Sequence, residues 1–162
     1  MSKVQTVSTT ASDPTVAAAA AQFLSPVVLG LQALTINGKQ AHWHVRGANF
    51  IGVHELLDTI VDHAQEWADL AAERIVALGL PVDARLETVA AKTTTPELTA
   101  GFRPSNQTIA EVIGQLDAAL ASVNTAVKEL DELDLPSQDI AIEIANGLDK
   151  DRWFLFAHIA TK

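Results

Sequence analysis

KQAHWHVRGANFIGVHELLDTIVDHAQEWADLAAERIVALG, residues 39–79, combines an apolar helical pattern with a row of side chains that can bind metal ions. Apolar residues recur at three- and four-residue steps, which predicts one helix from Phe50 to Leu78 whose inward positions include Ile51, Leu57, Ile60, Ala64, Ala68, Ala71 and Ile75. At about 100° per residue, a sector roughly 120° wide holds His54, Asp58, Asp62, Glu66, Asp69 and Glu73. An unbroken row of carboxylates beside so many apolar positions favours a bound cation.

The length of this helix decides which residues can share an ion. His54 and Asp69 are separated by roughly 22 Å along the axis at about 1.5 Å per residue, so one ion cannot contact both within one helix. His54 with Asp58 and Asp69 with Glu73 are therefore two half-sites at opposite ends. Two copies of the helix packed antiparallel about a two-fold axis would unite them twice. The pattern predicts a metal site shared between two subunits.

The same residues resemble the Dps proteins, the mini-ferritins of starved bacteria. The resemblance is carried by His42-Trp43, Arg46-Gly47, Asn49-Phe50, His54-Glu55, Asp69, Glu73-Arg74 and Gly79. It implies an all-α fold, a ferritin-like four-helix bundle with a long crossover that carries a short helix. It also implies that the metal ligands are His42, His54, Asp58, Asp69 and Glu73. Trp43 beside His42 is either an electron donor to this site or a packing aromatic.

The resemblance further implies a function. Members of this family oxidise Fe(II) with hydrogen peroxide or dioxygen at intersubunit sites, which hold one or two irons, and store the ferric mineral in a shell of twelve subunits. The acidic residues Asp131, Asp134, Asp139 and Glu143 lie where the family has an ion inlet pore. A solvated turn between two helices explains such a charge run as well.

Two other functions stay open as alternatives. A DNA-compacting protein is disfavoured because the net charge is −9 and the first twelve residues contain one lysine, Lys3. A metal-dependent amide hydrolase using the same centre is a less favoured alternative, since open positions on a metal can activate water.

Ferritin-like bundles that build a di-iron site inside one subunit use Glu-x-x-His, and no such tetrapeptide occurs in this sequence.

The remaining sequence organises the bundle. Residues 1–12 are polar and predict a flexible tail, and residues 13–162 predict the bundle. The alanine run over residues 17–21 predicts a short helix, which is expected to be interrupted at Ser25-Pro26. The main helices are predicted over residues 26–44, 50–78, 106–133 and 136–160. A crossover over residues 80–104 carries a short helix near residues 84–92. No signal-peptide pattern or run of about 18 apolar residues is evident, so a soluble cytoplasmic protein is expected.

Overall fold

Four long helices and one short helix build the protein, as the computed structural model describes it for residue 8 and residues 10–159. In chain order they are α1 (Pro14–His44), α2 (Phe50–Ala77), α3 (Leu86–Lys92), α4 (Ser105–Glu129) and α5 (Leu135–Ala157). The predicted all-α four-helix bundle, with a short helix in its long crossover, is confirmed. Most of the tail expected over residues 1–12 lies outside the described residues. Two expected helix ends differ from the structure, since α4 ends at Glu129 rather than at residue 133 and α5 ends at Ala157 rather than at residue 160.

A two-residue parallel ladder fixes the direction of the helices. Strand β1 (Val45–Arg46) follows α1 directly, strand β2 (Arg103–Pro104) precedes α4 directly, and Val45 pairs with Arg103. Helix α4 therefore starts where α1 ends and runs back beside it, parallel to α2. Helix α1 packs against α2 and α4, and α5 packs against the same two helices from the other side. The long crossover between α2 and α4 is what allows these two helices to run parallel.

The core consists of aliphatic side chains from the four long helices. Fully buried side chains include Leu24, Leu31, Leu34, Leu57, Ile60, Ile75, Leu116, Ile144 and Leu148. Each such side chain contributes about 1.5–3 kcal/mol of transfer free energy relative to exposure. Ile51 was predicted to face inward, but it is 59% exposed. It lies about 60° from His54 around the helix, which places it within the sector of metal-binding side chains rather than on the apolar face.

Helix α1 begins at a cap and passes through a proline. Asp13 Oδ1 accepts hydrogen bonds from the backbone N–H groups of Thr15 (2.8 Å) and Val16 (3.3 Å), as its N-cap position favours. The predicted interruption at Ser25-Pro26 is wrong. Pro26 removes the N–H that would bond to the carbonyl of Gln22, but both residues are exposed, so water can hydrate that carbonyl.

The apolar composition of α1 is explained by its burial in the bundle. Among the described residues it is the one helix long and apolar enough to cross a membrane, with a mean hydropathy of 1.5 over the most apolar window. Of that window, 56% is buried inside the protein. Leu24, Val27, Val28, Leu31 and Leu34 are all buried, as a core helix requires.

Candidate metal centre

The end of α1 and the start of α2 bring two histidines together. His42 lies in the last turn of α1 and is 9% exposed, and His54 lies in the second turn of α2. The connection between them reverses the chain within a few residues, with Gly47 at φ 96° and Asn49 at φ 56°. The left-handed region is readily accessible to glycine and less costly for asparagine than for most other residues. The Gly-Ala-Asn turn thus sets the relative position of the two imidazoles.

The two imidazoles hold each other in place. Their centroids are 3.7 Å apart and the rings are stacked at 21°. His42 Nδ1 lies 2.8 Å from the backbone oxygen of His54, and His54 Nδ1 lies 2.9 Å from the backbone oxygen of His42. A carbonyl oxygen only accepts hydrogen bonds, so both Nδ1 atoms donate. In the neutral form of each imidazole the lone pair then lies on Nε2, which is the form that binds a metal ion.

Asp58 lies next to this pair, but its carboxylate is engaged. Lys39 Nζ forms an ion pair with Asp58 Oδ1, and His42 Nδ1 is 3.8 Å from the same oxygen. The hydrogen bond from Lys39 is the largest cause of a lowered Asp58 pKa, with smaller contributions from the charges of His42, Lys39 and His54. An arriving cation would compete with the ammonium group for Asp58 Oδ1. Sequence reasoning did not single out Lys39.

Asp69 and Glu73 form a separate pair at the other end of α2. Both residues are exposed, and they lie near the helix end at Ala77. Within the described part of one chain, no three or more His, Cys, Asp or Glu side chains come together as a preassembled metal site. The two half-sites expected from the sequence stay a prediction. The exposed stripe lies on the outside of the single subunit.

Trp43, His44 and His63 lie outside the stacked histidine pair and have distinct surroundings. Trp43 is 62% exposed, so it is not a core aromatic of the single chain. His44 donates Nδ1–H to the carbonyl of Gln40 at 2.8 Å. His63 Nδ1 lies 2.9 Å from Asp151 Oδ2, and Asp151 is 2% exposed. Burial raises the Asp151 pKa, while the hydrogen bond from His63 opposes that shift.

Of the four acidic residues expected near an ion inlet, three are exposed and one is hydrogen-bonded to other side chains. Asp131, Asp139 and Glu143 are exposed. Asp134 instead accepts a hydrogen bond from Arg74 Nη2 at 2.7 Å and another from the Ser137 hydroxyl. Burial tends to raise the Asp134 pKa, but the hydrogen bonds from Ser137 and Arg74 outweigh it, so the pKa is lowered. This engagement argues against Asp134 as a free carboxylate of an inlet pore.

Comparisons with known proteins agree on the class of fold. Residues 30–161 match the ferritin-like domain. The DNA protection during starvation protein of Agrobacterium fabrum is 32% identical over 130 residues, which cover 80% of each chain. Its counterpart from Mycolicibacterium smegmatis is 33% identical over 125 residues, or 75% of this chain. The chain spans slightly less than two thirds of that mycobacterial relative, 66% of its length.

A solved structure gives a higher similarity. Dps from Microbacterium arborescens, in a high iron form, is 60% identical and superposes with a TM-score of 0.91. The superposition covers 95% of this chain and 100% of that one. The Mycobacterium smegmatis Dps tetragonal form superposes with a TM-score of 0.88 at 28% identity, over 93% of each chain.

Proposed function

The chain belongs to the Dps family of ferritin-like proteins, and from that premise we propose that it is a ferroxidase that oxidises Fe(II) and stores the ferric product. The sites form between two antiparallel subunits, and the dimers assemble into a shell of twelve. The site residues are His42, His54 and Asp58 of one chain with Asp69 and Glu73 of its neighbour.

The single observation that carries this proposal is the reciprocal arrangement of His42 and His54. Both Nδ1 atoms donate to backbone carbonyls, at 2.8 and 2.9 Å, and both Nε2 atoms are left available. Imidazole and carboxylate donors together suit Fe(II) among the divalent metal ions. The carboxylates that would complete the donor set are exposed at the far end of α2. A second chain lying head to tail supplies them at the distance that a single chain cannot bridge.

Each of the proposed site residues has its own role in the oxidation of Fe(II). The two histidines and Asp58 bind and orient the Fe(II) substrate, while Asp69 and Glu73 of the neighbour balance its charge. Each of two Fe(II) ions loses one electron, and one hydrogen peroxide molecule accepts both electrons and two protons to give two water molecules. Delivering both electrons in one event avoids release of a hydroxyl radical. Where only one Fe(II) occupies a site, Trp43, which is exposed beside His42, is proposed to supply the second electron that hydrogen peroxide needs.

The acidic residues near the start of α5 are proposed to guide iron inward. Asp131, Asp139 and Glu143 are exposed and would concentrate cations around an inlet in the assembled shell. Asp134 is left out of this set because Arg74 and Ser137 engage its carboxylate. A cytoplasmic location, and hydrogen peroxide or dioxygen as the oxidant, belong to the same proposal.

Other functions receive less support. DNA compaction is disfavoured by the net charge of −9, because duplex affinity depends on how many phosphates the protein neutralises. The relatives that carry DNA protection in their name do not alter that charge. The amide hydrolase alternative remains a prediction that no contact among the described residues favours.

The proposal is tested by following Fe(II) oxidation and peroxide consumption together in the assembled protein. We expect about two Fe(II) oxidised per hydrogen peroxide consumed, and rates that fall at least about tenfold in Asp69→Ala. Asp149→Ala, which removes an exposed carboxylate on α5, is the matched control and is expected to keep the wild-type rate. If Fe(II) is oxidised no faster with the wild-type protein than in protein-free buffer, the ferroxidase assignment is refuted.

A further inference from the structure

Arg74 connects the carboxylate half-site to the start of α5. It follows Glu73 in the last part of α2, and its side chain is 20% exposed. Its Nε donates to the Ser137 hydroxyl at 2.9 Å, and its Nη2 donates to Asp134 Oδ2 at 2.7 Å. The Ser137 hydroxyl donates to the same carboxylate, and Ser137 is fully buried. Arg74, Asp134 and Ser137 thus form a closed hydrogen-bonded group, here called the Arg74 clamp.

The Arg74 clamp holds a part of the chain that has little other regular structure. Asp134 is the residue before α5, and its backbone carbonyl accepts the N–H groups of Ser137 and Gln138 at 3.1 and 3.0 Å. Two residues earlier, Glu132 has a φ of 58°, which is unusual for a residue with a side chain. The clamp therefore fixes the position of the first turn of α5 relative to the end of α2.

An open groove of about 700 Å³ runs along this contact. It is lined by Asp69 and Glu73 of the half-site, by Arg74 and Val76, and by Ile140 of α5. The exposed carboxylates Asp139 and Glu143 lie on the same part of α5 as Ile140. One groove thus joins the half-site to the helix that carries the acidic residues.

The charge of Arg74 does not oppose a cation in this groove. An unpaired guanidinium beside Glu73 would repel Fe(II), but the Asp134 carboxylate neutralises it at 2.7 Å. The pair is mostly buried, with side-chain exposures of 20% and 12%, so it is screened less by solvent than a surface pair. The groove keeps the negative charge of Asp69 and Glu73 while its wall is held in place.

We propose that Arg74 is a positioning residue, which through Asp134 and Ser137 holds this groove as the path by which Fe(II) reaches the Asp69–Glu73 half-site. The inference rests on the proposed ferroxidase function and adds the path and the residue that maintains it. Arg74 acts on the reaction through α5 and does not contact the iron.

The test compares steady-state Fe(II) oxidation in assembled Arg74→Met, Arg74→Lys and Arg152→Met. Arg152 makes the equivalent contact between α5 and α4, with Nη2 3.2 Å from Asp117 Oδ2, and serves as the matched control. We expect Arg74→Met to raise the KM for Fe(II) about three- to tenfold while kcat at saturating iron changes less than about twofold. Arg74→Lys should recover most of the loss because it restores the charge opposite Asp134, and Arg152→Met should leave both constants unchanged.

A second pair of variants leaves the Arg74 clamp intact. Val76 lines the groove and is 59% exposed, so substitution there is tolerated by the fold. Val76→Lys places a cation in the path and is expected to raise the KM for Fe(II), less so at high ionic strength, whereas Val76→Gln is not. A wild-type KM in both Arg74→Met and Val76→Lys, or equal effects in Arg74→Met and Arg152→Met, would overturn the inference. If the wild type itself does not oxidise Fe(II), the proposed function fails instead.

Discussion

His42 and His54 donate their Nδ1–H groups to each other's backbone carbonyls, and their stacked rings lie 3.7 Å apart. The arrangement exists within one chain, across the short turn between α1 and α2. Its consequence is that both rings are fixed in orientation and in tautomer before any ion arrives. Ligands that are already oriented lose little conformational entropy on binding, which favours high affinity.

Removing one ring of this pair should weaken metal binding at its half-site. In His54→Ala, His42 keeps its hydrogen bond to the main chain but loses the stacked partner, and one donor is lost. We expect Fe(II) affinity to fall at least about tenfold, measured by calorimetry without oxygen. His44→Ala, whose ring bonds to Gln40 away from the pair, should bind iron as the wild type does. Equal losses in both variants would show that the effect is not specific to the stacked pair.

Lys39 is expected to compete with the metal ion for Asp58. Since its ammonium group forms an ion pair with the Asp58 carboxylate, Lys39→Met should free that carboxylate and tighten divalent metal binding about two- to tenfold. The Asp58 pKa should also rise toward its ordinary value, because the Lys39 hydrogen bond is the main cause that lowers it. Calorimetric titration with Co(II) measures the affinity, with Lys92→Met on α3 as control. Weaker binding in Lys39→Met would mean that Lys39 supports the site.

Asp151 should make stability depend on pH in a defined direction. Burial raises its pKa above 3.8, so this carboxyl favours folding at low pH and that contribution is lost as the pH rises through its folded pKa. Asp151→Asn keeps an oxygen acceptor for His63 and removes the charge. We expect it to increase the free energy of unfolding by about 1 kcal/mol at neutral pH, and by less as the pH falls toward 3.8.

Substitution of His63, the hydrogen-bond partner of Asp151, should have the opposite effect on the free energy of unfolding. His63→Leu removes the hydrogen-bond partner of a carboxylate that is 2% exposed, and should destabilise the protein by about 1–3 kcal/mol. Chemical unfolding at several pH values measures both variants. Destabilisation by Asp151→Asn that is constant across pH would show that the burial cost of the charge is not the cause.

Duplex DNA should bind weakly or not at all. The protein carries a net charge of −9 per chain, and residues 1–12 contain a single lysine. Because counterion release scales with the number of phosphates neutralised, we expect no retardation of linear duplex in a gel at about 150 mM salt. Sub-micromolar binding under those conditions would contradict the expectation, and substitution of Lys3 would then locate its source.

Sequence periodicity predicted most of the fold because the buried positions repeat with the helical period. The break at Pro26 was wrong, since the exposure of Gln22 that lets water hydrate its carbonyl depends on how α1 packs. The spacing of His42, His54, Asp69 and Glu73 along the sequence was sufficient to propose two half-sites.

Contacts between distant residues could not be predicted in the same way. Lys39 with Asp58, His63 with Asp151, and Arg74 with Asp134 each join side chains on different elements. Nothing in the pattern of one segment specifies such a partner on another. Asp134 illustrates this, because a charge run in sequence gives no sign that one carboxylate is turned inward to Arg74.

Subunit complementation tests most directly whether the metal site is shared between two chains. His54→Ala and Asp69→Ala each break both sites of a homodimer, but a dimer with one chain of each contains one complete site and one that lacks both groups. With random pairing, co-assembled variants should recover about one quarter of the wild-type Fe(II) oxidation rate, while each variant alone is inactive. A mixture no more active than its components, or a dissociated wild-type monomer that oxidises Fe(II) at the full rate, would contradict the account.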